Sequence, residues 1–307
     1  MEKKKTVKPG RIQNRNLAQS KWAPLGFLLP GLIAVIFAVA YPILYEIKIS
    51  FQNVSITNVI SGIYPWIGLD NYIEIITDPL FYTTFLRTII WTVVNVSAHV
   101  FFGVSLALLL HRKLPGKNLI RTLLILPWAV PQYIAVLTWR NMYNTEYGAV
   151  NIILSKLLGQ TVSIPWMSDP KWTFIAAIIT NIWSGIPFMM MISYGGLQGI
   201  SEELYEAAEI DGASSFQKLR NITIPLLKPI MTPAIVWGTI VTFNMLNVLV
   251  IFTNNTSAED TQILVSLVYK RAFEGYKFGY SAAFSLIIFL ILLCFSSVYI
   301  KTQKLED

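Results

Sequence analysis

The side chains best equipped for chemistry in this sequence are uncharged. Asn181, Ser184 and Phe188 stand at i, i+3 and i+7, one face of a helix, and Gly185 between them leaves space beside it. Asn244 and Asn247 repeat the i, i+3 spacing, with Phe243 alongside. Trp128 and Gln132 flank two prolines, Pro127 and Pro131. Amides and hydroxyls hydrogen-bond other hydroxyls without a charge, and aromatic faces cover C–H surface. Such a set suits a neutral, hydroxyl-rich solute. It also suits helix–helix packing, where buried Asn and Ser bond a neighbouring helix.

Other chemistries lack their residues. No Gly-x-x-x-x-Gly-Lys-[Ser/Thr], His-Glu-x-x-His or nucleophile elbow occurs, so no nucleotide or metal cofactor is expected in this chain. One cysteine, Cys294, excludes a disulfide framework, and two histidines leave little for a metal centre. Cys294 reads as a small apolar filler. His99 is the one titratable group inside an apolar stretch. A ring bonded to a backbone carbonyl explains it more simply than a proton relay does.

These residues must be positioned by membrane spans. Of 307 residues, 54% are hydrophobic and 13% charged, about half the charge of a soluble protein. Six stretches, 22–45, 88–110, 122–139, 172–201, 229–258 and 278–300, contain no Asp, Glu, Lys or Arg. About 20 apolar residues cross the hydrocarbon, so an all-α integral membrane protein with six transmembrane helices is expected. The absence of acids and bases within them argues against a self-powered, ion-coupled carrier. Pro127 and Pro131 should kink or unwind the third span, either as cavity lining or as an ordinary kink.

Sixteen of the 24 Lys and Arg fall on one side of this topology and eight on the other. Both termini are therefore expected in the cytoplasm. The domains read as a basic cytoplasmic tail, 1–21, a six-span unit, 22–300, and a cytoplasmic tail, 301–307. No basic soluble domain is present that could serve nucleic acid.

One cytoplasmic loop differs from the rest. Between 202 and 228 it carries five acids against three bases, so it should face a protein rather than anionic lipid. Ser201 is placed to cap a short helix to about Ile210. Asp211-Gly212 should break it, Ser214 should cap a second helix to about Ile222, and Pro225 should end that one. The whole, 201–225, is a helix–turn–helix with Leu204, Ala207 and Ala208 on one face.

Glu206-Ala207-Ala208-Glu209-Ile210-Asp211-Gly212-Ala213, then Phe216 and Ile222-Thr223-Ile224-Pro225, resembles the EAA loop of the permease subunits of bacterial ABC sugar importers. Further stretches are similar to that family: Gly68-Leu69-Asp70-Asn71-Tyr72, Leu126-Pro127-Trp128-Ala129-Val130-Pro131, Trp183 with Pro187-Phe188, and Gly196-Leu197-Gln198. Within the family the pattern is closest to the larger membrane subunit of maltose/maltodextrin importers. It departs in showing no extra N-terminal spans or large outer insert, which implies a minimal six-span form. It departs again at Asn254-Asn255-Thr256, where relatives often carry Gly-Gly-Pro.

The resemblance implies a non-catalytic subunit in a bacterial cytoplasmic membrane. Its partners would be a second, similar permease, two ATPase subunits that bind ATP and Mg, and an extracytoplasmic sugar-binding protein. Glu206, Ala207, Ala208, Asp211, Gly212, Ala213 and Phe216 would couple to the ATPase. An oligosaccharide would be held by Trp128, Gln132, Asn181, Ser184, Gly185, Phe188, Phe243, Asn244 and Asn247. The alternatives left open are another solute, such as a glycerol phosphate, and an ATP-independent carrier.

Overall fold

The structure is a computed structural model describing residues 23–112, 114–253 and 259–304. The basic tail, the 254–256 departure and residues 305–307 lie outside the described residues. Among those described the chain is helical, with isolated extended bridges at Gln52–Trp66 and Ser55–Lys277.

The first span is α1 (Ala23–Val35) and α2 (Tyr41–Ser50), joined by a π-turn, Ile36–Ala40. The π-turn precedes Pro42, which has no N–H to donate. Tyr41 N–H reaches five residues back to Ile36 O, so the helix passes the proline in a wider turn. Short helices α3 (Ile56–Ser61) and α4 (Asp70–Thr77) lead to α5 (Pro79–His111). Asp78 starts α5, accepting a 2.8 Å bond from Leu80 N–H, with Pro79 in the first turn. Asp169-Pro170 starts α9 (Pro170–Gln198) in the same way, with a 3.1 Å bond from Trp172 N–H. Both Asp-Pro pairs are helix caps.

The third span is broken. α6 (Lys117–Ala129) and α7 (Gln132–Met142) meet at 93°. Pro131 cannot donate to the helical ladder, and Val130 before it is extended, with ψ 133°. The pair still crosses the bundle. Leu124 and Ile125 of α6 pack beside Leu110, Tyr194 and Leu197 at one end, and Val136 of α7 lies with Trp91, Trp166 and Phe252 at the other. α8 (Ala149–Leu158) lies at that second end, where Val150 and Leu154 join the same cluster.

After α9 come α10 (Glu202–Ile210), α11 (Ser215–Lys218), a π-turn at Leu219–Thr223, α12 (Ile224–Phe243), α13 (Leu246–Thr253), α14 (Leu264–Phe273) and α15 (Phe278–Lys304). Pro225 does not end the second loop helix as expected. Ile224 N–H reaches Leu219 O, five residues back, and the helix runs on into the fifth span. This repeats the arrangement at Pro42. The fifth span instead breaks at Asn244-Met245, between α12 and α13.

α5 and α9 form the central pair, brought close by one glycine on each. A Cβ on Gly103 would lie 2.6 Å from Met189 Cβ, and one on Gly185 would lie 2.3 Å from the His99 ring. The buried face of α5 is polar: Thr84, Thr88, Thr92, Asn95 and His99. Thr88, Thr92 and Asn95 bond carbonyls four residues back, at 2.7 Å each. Thr88 Oγ1 also accepts Leu264 N–H at 2.9 Å, and Trp91 Nε1 donates to Thr242 O at 2.9 Å. Thr88, Thr92 and His99 are thus paired inside the bundle, whereas Thr84 Oγ1 and Asn95 Oδ1 are buried without a partner.

Candidate solute site

Four elements converge near mid-height on a cavity of about 520 Å³. The α6–α7 break supplies Trp128, Pro131 and Gln132, and α9 supplies Asn181, Ser184, Gly185 and Phe188. His99 of α5 and Trp237, Thr242 and Met245 of α12 and its end complete the wall. No lining residue is Asp, Glu, Lys or Arg. The volume falls within the range of small-molecule sites.

The polar groups are fixed from behind. His99 Nε2–H donates to Asn181 O at 3.0 Å, and Ser184 Oγ donates to the same carbonyl at 3.0 Å. His99 is therefore held by a backbone carbonyl, as its apolar setting suggested. Gln132 Nε2 contacts Met245 Sδ at 2.7 Å, and Gln132 Oε1 accepts Asn247 Nδ2–H at 3.2 Å. Asn181 Nδ2 differs: it is buried and has no hydrogen-bond partner. An unpaired buried donor costs about 1–3 kcal/mol, and Asn181 is one of the residues that line the cavity. Trp128 and Trp237 are 64% and 60% exposed, as are other large rings on the outside of the bundle such as Phe101 and Phe289.

Six of the nine residues read as solute contacts line this cavity: Trp128, Gln132, Asn181, Ser184, Gly185 and Phe188. Asn247 reaches its edge only through Gln132. Phe243 packs elsewhere, with Ile75, Leu264, Tyr280 and Phe284. Asn244 donates back to Ile240 O at 2.9 Å and borders a separate groove against α14 and α15. The fifth span presents Gly238, Thr242 and Met245 instead, at i, i+4 and i+7. Trp237 beside Gly238 is the sequence signal that marks that face.

Residues 99–302 match the family of binding-protein-dependent transport system inner membrane components. The chain belongs to this family. The permease is 35% identical over 284 residues to the trehalose/maltose transport system permease protein MalF of Thermococcus litoralis, covering 92% of this chain and 94% of that one. It is 32% identical to the maltodextrin transport system permease protein MalC of Streptococcus pneumoniae, covering 92% of this chain and 70% of its relative. A bacterial ABC transporter structure for alginate import superposes with a TM-score of 0.80 at 19% identity, over 92% of this permease and 95% of that chain. This last likeness concerns the fold.

The acidic loop of the permease is built much as its residues dictate. Ser201 takes the N-cap position of α10 with extended backbone, but its side chain makes no capping bond. Gly212, at φ +78°, reverses the chain, and Ala213 N–H closes the turn on Ala208 O at 2.8 Å. Ser214 and Gln217 form a reciprocal capping box at the start of α11. Lys218 Nζ meets Glu209 Oε2 at 3.3 Å, and Tyr205 OH meets Thr223 Oγ1 at 2.9 Å, tying the two helices together. Glu206, Ala207, Asp211, Gly212 and Phe216 are exposed, while Ala208 and Ala213 are half-buried in the turn. Ile210 is 87% and Phe216 67% exposed, a large apolar area on an otherwise acidic surface.

Proposed function

We propose that this permease carries a neutral oligosaccharide, of maltose/maltodextrin type, through the cavity around Asn181. Alternating access would expose that cavity first to one side of the membrane and then to the other. What supports the solute class is the wall itself: an unpartnered buried amide donor, two exposed indoles and no charge. The names of the relatives point the same way. A phosphorylated solute would call for cations at the wall, and the lining has none.

In this reading the chain is one of two similar membrane subunits, with both termini in the cytoplasm. An extracytoplasmic binding protein delivers sugar, and two ATPase subunits hold ATP and Mg. The loop from Glu202 to Thr223 seats in the ATPase pair through Ile210 and Phe216, with Glu206 and Asp211 supplying charge. The helix running from α11 into α12 would then carry a push at the loop directly to Trp237 and Thr242. The test is reconstitution with the neighbouring ATPase, second permease and binding protein. Uptake of labelled maltodextrin that needs ATP supports the reading, and uptake by the permease without ATPase overturns it.

A further inference from the structure

We propose that the segment 54–69, on the side opposite the coupling loop, is an interfacial membrane anchor that rests its apolar side chains in the headgroup–acyl boundary of that leaflet. The sequence has no charged residue between Lys48 and Asp70. In an extramembrane connection of a chain with 41 charged side chains, that is a marked gap. Ile56, Val59 and Ile60 share one face of α3, and Ile63, Tyr64 and Trp66 follow. Ile60 is 81%, Ile63 66% and Trp66 65% exposed. A soluble surface seldom presents so much contiguous apolar area without a partner.

The backbone fixes where this area sits. The span Phe27–Ser50 has 24 residues, about 36 Å of helix, against about 30 Å of hydrocarbon. Its end at Ser50 therefore lies in the headgroup layer. The chain then folds back on that end. Asn53 N–H donates to Pro65 O and Ile67 N–H to Phe51 O, each at 2.9 Å, and Trp66 stacks on Phe51 at 5.5 Å. Gly279, in the first turn of α15, donates to Val54 O at 2.9 Å and comes so close to Gln52 O that a Cβ would lie 2.2 Å from it. The segment is thus pinned at the level where two spans reach the interface.

Lipid fits this position best among the possible occupants. The segment follows, after Glu46 and Lys48, on the span of α1 and α2, whose most apolar stretch has no buried residue and so faces the bilayer. Trp66 and Tyr64 are the residue types that settle at the headgroup level. Protein interfaces carry a polar, charged rim, and this segment has no charge with which to form one.

The test uses the full chain in phosphatidylcholine nanodiscs, with Cys294→Ser as background. Nitroxide labels are placed at Ile60→Cys and Ile63→Cys, at Phe37→Cys as a lipid reference, and at Glu146→Cys as a water reference. The expected result is that both segment labels collide with oxygen more often than with a nickel chelate, as the Phe37 label does. Collisions like those of the Glu146 label would overturn the anchor and leave the patch as a surface for a protein partner. A second arm needs no added cysteine. Lipids brominated near the headgroup should quench less total tryptophan emission in Trp66→Phe than in the parent. Equal quenched emission in the two would also overturn the proposal.

Discussion

Asn181 is where a packing role and a solute role give different predictions. Its side-chain Nδ2 bonds nothing in the bundle, so Asn181→Ala removes no helix–helix bond through that atom. Thermal stability and assembly should stay near the parent. Transport at limiting sugar should fall about tenfold, because a lost hydrogen bond in a dry site is worth about 1–3 kcal/mol. Uptake per assembled complex and melting temperature, measured together, check this. Unchanged uptake with a lowered melting point would return Asn181 to packing. Gly185 gives a second expectation. Gly185→Ala places a methyl 2.3 Å from His99 Nε2 and should cost about 1–3 kcal/mol by overpacking. Adding His99→Ala should recover part of that loss, and a double-mutant cycle on thermal melts measures the coupling. The α9 part of the candidate site was legible because Asn181, Ser184 and Phe188 repeat at helical spacing. The α12 part was not. There Asn244 and Asn247 drew attention by residue type, while the wall is formed by Gly238, Thr242 and Met245, which carry little polar signal.

At the scale of elements, local chemistry was the better guide where a single residue decides the backbone. Gly212 adopts the left-handed region, and the Ser214 capping box forms. Pro131 breaks the third span because the residue before a proline avoids the helical region. Pro225 does not end its helix, because a proline stops an α-helix only if the ladder cannot widen, and here a π-turn widens it. No residue type marks a π-turn in advance, which is why Pro42 and Pro225 became informative only in three dimensions. The unbroken helix from Ser215 to Phe243 gives the loop a mechanical role. Gly212→Pro forbids φ +78° and removes the N–H that reaches Glu209 O at 3.1 Å, so the turn between α10 and α11 should not form. Glu206→Lys leaves the backbone alone and reverses a charge on the exposed face. Both variants should insert normally and lose sugar-stimulated ATP hydrolysis. Normal stimulation in both would remove the coupling role from this loop.

For the whole molecule, the question is how many times the chain crosses the bilayer. Five helices are long and apolar enough to span among the described residues, and the sixth crossing depends on a pair bent by 93°. A re-entrant pair would bring α7 back toward the end where α6 began. The packing opposes this, since α6 lies on the cluster around Leu197 and α7 on the cluster around Phe252, at opposite ends of α9 and the fifth span. Six crossings put both termini and the acidic loop on one side and α8 on the other. That division agrees with the sixteen-to-eight distribution of Lys and Arg. Reporter fusions after Asp307 and near Lys156 in α8 should therefore report opposite sides of the membrane, the first cytoplasmic. A reversed pair of signals, cytoplasmic near Lys156 and external after Asp307, would make the α6–α7 pair re-entrant. The loop from Glu202 to Thr223 would then face away from any cytoplasmic ATPase, and the coupling path from α11 into α12 would have no motor to drive it.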